Sequence, residues 1–291
     1  MVWEAMTLDE YAALQRATGA KVLKVQGTWW TEPRPFFFRP LFPFARITPQ
    51  ARNYPVRSWV GGVLHLVPQE TAANSRMHLF LYDDPDGYCL EQMAAKQRWV
   101  IKKASESFCA RRITDLDHFV DQASGIYRSF YHRTGYFYKR ERLNTDYFAA
   151  WARPFFDQPK TVIMGAYHKE RLSAVDISYR VEDVIIDDIF FSDNQSQSLR
   201  VTDFLVHTLR ESARGSDARF IFRGFPTGKQ TLDDSKVNRG CRIVMLPAYC
   251  KINPMALYLG KTFMNESYRK LMAITSYPDA DGAAPNPRQP R

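Results

Sequence analysis

Long apolar runs are missing from this chain of 291 residues. The longest, residues 59–67, is interrupted by Gly61, Gly62 and His65 and falls short of the ~18–20 residues that a bilayer-crossing helix needs, so no membrane span is predicted. The opening MVWEAMTLDEY has no basic stretch, apolar core or small-residue cleavage site, so it does not read as a secretory signal, and cytoplasmic residence is the expectation. Cysteine is scarce. Cys89, Cys109, Cys241 and Cys250 lie far apart with no C-x-x-C pair, which excludes a zinc knuckle and offers no disulfide framework. The six histidines (65, 78, 118, 132, 168 and 207) show no metal-ligand spacing, so no metal is expected. H-E-x-x-H, G-x-S-x-G and G-x-G-x-x-G are all absent. The stretch from Gly224 to Lys229 mimics a P-loop, but it has three residues between its glycines instead of four and no Ser or Thr after the lysine.

Apolar and basic residues are abundant. A hydrophobic share of 45% with 14% aromatics is enough for a packed core, which excludes disorder for the bulk of the chain. Lys and Arg number 40 against 31 Asp and Glu, a net +9. Residues 94–143 hold eleven of those cations and five of the acids, so one window carries +6 of the excess. Within it, residues 126–142 interleave Tyr127, Phe130, Tyr131, Tyr136, Phe137 and Tyr138 with five cations. Cations among aromatic platforms suit a polyanionic partner; a solvated helix face with its aromatics turned inward is the alternative.

Apolar periodicity predicts helices over 7–18, 88–104, 115–131, 145–156, 198–213, 229–238 and 254–274. Strands are predicted over 21–30, 59–67, 77–81, 107–113, 161–168, 172–180, 183–191, 219–225 and 241–248. The proline-rich, phenylalanine-rich segment 31–55 reads as irregular, its five Phe either packing on a sheet or walling a pocket. From residue 277 onward four prolines and little apolar surface predict a disordered tail.

Over 107–250 the order is strand, two helices, three antiparallel strands, long helix, strand, helix, strand. It carries Gly165-Ala166-Tyr167, the pair Asp187-Asp188 before the long helix, Lys236-x-x-x-Gly240, and the basic run Lys96-Gln97-Arg98 followed by Lys102-Lys103-Ala104. This arrangement resembles the GNAT superfamily of N-acyltransferases, nearest to the Fem-type aminoacyltransferases and the acetyltransferases of polysaccharide synthesis. The resemblance implies an α+β fold with a mixed α/β sheet. Its acyltransferase core would span 107–276, residues 1–106 forming a degenerate GNAT-like half or an extension over the acceptor cleft, with the tail at 277–291. It also implies an N-acyltransferase that moves an acyl or aminoacyl group from a carrier to an amine-bearing acceptor by direct attack. No tightly bound cofactor is implied; acetyl-CoA or another acyl-CoA, an acyl carrier protein, or aminoacyl-tRNA would be co-substrate, docking on 94–143. GNAT enzymes that bind CoA cradle its pyrophosphate with Q/R-x-x-G-x-G/A, whereas residues 194–200 here hold no glycine, a departure shared with Fem-type proteins. An N-acyl amino acid synthase-like enzyme using a carrier protein and a non-catalytic nucleic-acid or polyanion binder are the alternatives.

Asp187 and Asp188 interrupt a run of Val, Ile and Phe, and strand alternation sends them to opposite faces. A carboxylate desolvated there is a candidate base for the attacking amine; the other reading is an ion pair with Arg180 or another basic neighbour. Asp176, with Ser178 on the same face, is the second candidate, and could equally line a solvated surface. Tyr167, Tyr179 and Tyr249 are candidate acids for the leaving group or simply core aromatics. Ser196, Ser198 and Arg200 at a helix start, with Lys236 from the matching motif, are the candidate contacts for a donor phosphate.

Overall fold

Thr7 and Glu10 cap each other reciprocally, and the first helix starts where they sit: the Thr7 hydroxyl accepts from the Glu10 N–H while the Glu10 carboxylate accepts from the Thr7 N–H at 2.7 Å. The computed structural model describes residues 2–135 and 140–275. Along the chain these form β1 (Ala5–Met6), α1 (Leu8–Ala17), β2 (Val22–Val25), β3 (Thr28–Arg34), β4 (Phe37–Pro40), β5 (Gly62–Leu66) and β6 (Ser75–Tyr82). Then come α2 (Ala95–Ser107), β7 (Cys109–Arg112), α3 (Leu116–Thr134), α4 (Thr145–Asp157), β8 (Thr161–His168), β9 (Arg171–Val181) and β10 (Val184–Ser192). The rest is α5 (Asn194–Ser198), α6 (Val201–Ser212), β11 (Phe220–Phe222), α7 (Gln230–Asn238), β12 (Arg242–Ile252), α8 (Pro254–Phe263) and α9 (Asn265–Thr275). The architecture is the expected mixture of helices with a mixed sheet.

The chain divides into two units. The first combines the N-terminal residues to Ala20 with Leu81–Gly224 and Ser235–Arg242. Its strands run in the order β6, β11, β10, β9, β8, β7; the last two residues of β6 belong to this unit and pair with β11. The strands β7 to β10 are antiparallel, but β10 and β11 are parallel. β1 pairs with the end of β9, at Arg180 and Val181, where β8 no longer reaches. One sheet face is covered by α3 and α4, whose Phe119, Tyr127 and Phe148 are almost wholly buried with Phe191 of β10. The other carries α6, with Leu205 and Leu209 buried.

The second unit holds Lys21–Phe80, Phe225–Asp234 and the chain from Ile243. Its strand order is β2, β3, β4, β5, β12, followed by the first six residues of β6. Trp30, Phe38, Ile47, Tyr54 and Val63 form its core, with Tyr249 packed against them. His65 is buried there as well: one ring nitrogen bonds the Leu66 carbonyl at 2.8 Å, the other the Tyr54 hydroxyl at 3.1 Å.

Several expectations are corrected. The strand over 21–30 is a hairpin, because Gln26 and Gly27 both take positive φ, the geometry of a two-residue β-turn. Segment 31–55 is not wholly irregular: β3 runs on through Pro33 and β4 follows. The β3–β4 register shifts between Thr31 and Arg34, so Pro33 sits where no ladder N–H is required. Helix 198–213 breaks at Arg200, which adopts a left-handed φ of 66° and separates α5 from α6. Helix 254–274 breaks at Met264 into α8 and α9. Helix 88–104 begins only at Ala95, its first residues forming a short 3₁₀ turn at Leu90–Gln92. The tail at 277–291 lies outside the described residues.

Candidate active site

Two short strands of matching pattern build the site. Val184-Ile185-Ile186-Asp187 of β10 and Phe220-Ile221-Phe222-Arg223 at β11 each place three apolar residues before a charge. The strands pair in parallel and in register, Val184 with Phe220 through Ile186 with Phe222, so the next position on each brings Asp187 level with Arg223. They form an ion pair whose side chains are only 4% and 11% exposed. β11 stops there because Gly224, at φ +87°, turns the chain away. β10 continues to Ser192, still paired with β9 on its far side. Beyond Ile186 its other edge has no strand partner among the described residues, and every second residue there directs backbone N–H and C=O groups into the gap. The Lys236 ammonium donates to the Arg223 carbonyl at 2.9 Å, so this cation also stands at the end of β11.

Behind the fork lies Asp176 on β9, buried on the same face as Ser178. Ser178 lies opposite Asp187 across the ladder and donates its hydroxyl to an Asp176 carboxyl oxygen at 2.5 Å. Burial, first, and the adjacent Asp187 charge push the Asp176 carboxyl well above the usual carboxylate range; the Ser178 hydrogen bond and the Arg223 cation work the other way. Burial opposes the Arg223 charge, but Asp187 beside it lifts the guanidinium above its ordinary value. Burial thus favours the neutral form of the Asp176 carboxyl, beside an Asp187–Arg223 ion pair whose charges offset each other. Such balance is what lets three ionisable groups share a dry site. Asp176 also lines a small cavity with Trp3, Val162, Met164, Leu205, Leu209 and Ser212.

Asp188 is not part of this group. The β9–β10 register slips between Asp187 and Ile189, leaving Asp188 in a bulge, where it accepts from the Tyr179 hydroxyl at 2.8 Å on the opposite face. Gln15 donates to the same Tyr179 oxygen at 2.7 Å. Arg180, the other cation considered for these aspartates, instead donates to the carbonyls of Trp3, Ser216 and Glu182. Tyr167 stands apart at the β7–β8 edge, its hydroxyl bonded to His118 at 3.1 Å and its ring beneath Arg111. Ser196 is buried in the Asp193 cap of α5: its N–H donates to the Asp193 carboxylate at 2.7 Å and its hydroxyl to main-chain carbonyls. Ser198 donates to the Gln195 carbonyl, and Arg200 lies exposed in the left-handed joint before α6.

No protein-family model matches the chain. No curated protein matches it either. Solved structures do. A domain assigned as the C-terminal domain of a lysylphosphatidylglycerol synthetase from Agrobacterium fabrum superposes with a TM-score of 0.59 at 10% identity, over 92% of this chain and 92% of that one. FemX superposes at 0.55 and 8% identity, over 86% of this chain and 92% of its own. L-PGS from Bacillus licheniformis does so at 0.54 and 10%, over 93% and 99%. The fold is GNAT-like, near that of the Fem-type proteins. Within this GNAT-like fold the open β10–β11 edge, with its carboxylates and arginine, is the feature most suited to chemistry.

Arg223 is the site residue that sequence reasoning missed. The repeated pattern of V-I-I-D and F-I-F-R is its one trace in the sequence, and it becomes a signal only once the parallel, in-register pairing is known. Trp99 was missed too: it stands 61% exposed on α2 with the Lys103 ammonium 5.1 Å from its ring. The aromatics expected to serve as platforms divide differently. Tyr127 and Phe130 are buried in the core of the first unit, because the inward face of α3 needs them; 136–139, with Tyr136, Phe137 and Tyr138, lie outside the described residues.

Proposed function

We propose that this chain transfers an acyl or aminoacyl group from a polyanionic carrier to an amine-bearing acceptor by direct attack. The observation that carries this reading is the fork where β10 and β11 part, with Asp187 and Arg223 at its vertex. An amine reaches the site as an ammonium ion and must lose a proton before its lone pair can attack. Asp187 is the carboxylate positioned to take that proton, with Arg223 orienting it and the neutral Asp176 behind it. The amine nitrogen then bonds to the donor's ester or thioester carbonyl carbon. The resulting oxyanion meets backbone N–H groups on the unpaired edge of β10; the attacking nitrogen, still positively charged, gives its second proton to solvent, and collapse expels the carrier's hydroxyl or thiol, which takes a proton from solvent as it leaves. Fixed donors in a water-poor cleft are worth far more than the same groups in water.

The donor's polyanionic part docks, on this reading, on the cationic surface of 94–143, with Arg200 and Lys236 nearer the reacting bond. The glycine-free sequence at 194–200 favours a donor other than CoA held in the usual pyrophosphate cradle, since the Asp193 carboxylate already fills the start of α5. The test is transfer by the purified chain from aminoacyl-tRNA, acyl carrier protein and acyl-CoA donors to amine acceptors. Asp187→Asn is expected to lower transfer by at least ~10²-fold, a typical share for acid–base help. Because the change also leaves Arg223 without its partner, thermal unfolding is measured alongside. A folded Asp187→Asn protein with full activity overturns the base assignment.

A further inference from the structure

In a helix that packs on a globular core the apolar stripe faces inward. Helix α8 does the reverse. Met255, Tyr258, Leu259 and Phe263 recur at i, i+3, i+4 and i+8, on one face, and that face is exposed, Tyr258 at 64% and Phe263 at 76%. The opposite face, with Ala256, Leu257 and Gly260, is the half-buried one. Beside the start of α8 the 3₁₀ turn Val56–Trp59 and Val60 expose three more apolar side chains, Val56 at 83%, Trp59 at 54% and Val60 at 56%. Asn253 holds the two together: its side chain caps α8 at the Met255 N–H and donates to the Trp59 carbonyl at 3.1 Å, and its own N–H donates to the Gly61 carbonyl at 2.8 Å. An exposed apolar area built this way marks an interaction surface.

Charge says what kind. Residues 33–69 hold five arginines and no acid, and residues 243–265 hold Lys251 and Lys261 and no acid. Of the carboxylates that border these stretches, Glu32 is matched by Arg57, one of the five arginines, and Glu266 by Lys270 and Lys229, while Glu70 follows the first stretch. The Lys251 ammonium lies 4.2 Å from the Trp59 ring, at the patch itself. Exposed apolar side chains marked by Trp and Tyr, with Lys251 at the Trp59 ring and Lys261 exposed on α8 itself, have the composition of helices that lie in the bilayer interface, where such rings sit at headgroup level. A second copy of this chain would bring the same cations against one another across a two-fold axis, which is unfavourable. No helix among the described residues is long and apolar enough to cross a membrane, so the contact would be peripheral.

We infer that α8 and the Val56–Trp59 turn dock the chain on the surface of an anionic lipid bilayer, with α8 lying in the interface. This does not depend on the transferase reading, and its readout is partition, not product. The full chain is sedimented with vesicles of phosphatidylglycerol and phosphatidylcholine, and separately with vesicles of phosphatidylcholine alone. Retention on the anionic vesicles is expected, weakened by salt, and reduced at least ~10-fold in the double variant Tyr258→Ser, Phe263→Ser, whose side chains are exposed and leave the core untouched. Absence of retention on anionic vesicles, equal retention on both vesicle types, or retention unchanged in the double variant overturns the inference. So does a dimer in sedimentation equilibrium that the double variant dissociates while vesicles hold neither protein; that result would assign the face to a second copy.

Discussion

Asp176 is the residue at which burial and chemistry are most tightly linked. Its unfolded pKa is that of an ordinary aspartate, ~3.9, and its folded value lies well above that because burial and Asp187 disfavour the charge. Between the two values the folded chain holds a proton that the unfolded chain has lost. Stability therefore falls as pH rises through this window, and the contribution is complete only below the unfolded value. Asp176→Asn keeps an oxygen for the Ser178 hydroxyl and replaces the carboxyl O–H with an N–H donor, but cannot ionise. Its unfolding free energy, followed by urea titration from pH 4 to 8, is expected to lose that downward slope, so that the variant gains on the parent chain as pH rises. Parallel profiles for the two proteins would show that Asp176 does not retain its proton. Asp187 differs: its charge is matched by Arg223, and removing one member of a buried pair typically costs ~3–5 kcal/mol because the other is left uncompensated. Asp187→Asn should therefore unfold at a lower temperature than Asp176→Asn. Nothing in their local sequence separates the two aspartates, since each interrupts an apolar strand. Only the partner across the sheet decides which keeps its charge.

At the scale of elements, what the sequence made plain was whatever rests on local periodicity. The β8–β9–β10 meander, α3, α4 and the capped start of α1 are short-range patterns, and they appear close to where the alternation and capping residues put them. The misplaced joints are the ones where backbone conformation departs from the pattern of side chains. Arg200 shows this. The apolar stripe runs across 198–213 without a break, so periodicity reads one helix, yet the chain takes a left-handed residue there and starts afresh with α6. A non-glycine residue in that region costs roughly 1 kcal/mol or more relative to glycine. Arg200→Gly is thus expected to raise stability by about 1 kcal/mol, visible as a higher unfolding midpoint. If Arg200 meets the donor phosphate as proposed, the same change weakens donor binding, so that stability and affinity move in opposite directions. The joint would then be a conformation retained for its side chain and not for the fold. The Asp187–Arg223 fork was illegible for a related reason: its two halves lie 36 positions apart, and only the parallel register joins them.

For the molecule as a whole, charge is better resolved by the structure than by the count. Of the cations in 94–143, Arg111 is paired with Glu170, Arg133 donates to Ser192, Asp193 and Asn194, and Arg142 lies over the Trp151 ring. These three are engaged within the chain itself. Lys96, Lys102 and Lys103 on α2 are exposed, and Trp99 stands among them. Exposed lysines and an exposed indole act on a nucleic acid in different ways. Each phosphate contact releases counterions, so affinity falls with salt with a slope of a little less than one per cation in a log–log plot. Stacking on an aromatic ring adds ~1–3 kcal/mol per base and releases few ions. If 94–143 is the docking surface for aminoacyl-tRNA, the two contributions separate by mutation. Lys102→Ala with Lys103→Ala should flatten the salt slope by roughly one to two, measured by filter binding across a salt series. Trp99→Ala should lower affinity about tenfold or more at every salt concentration and leave the slope unchanged. A slope that stays the same without the two lysines removes α2 from the docking surface and leaves the exposed Arg112, Arg128 and Arg140 as the cations of 94–143 still to be tested.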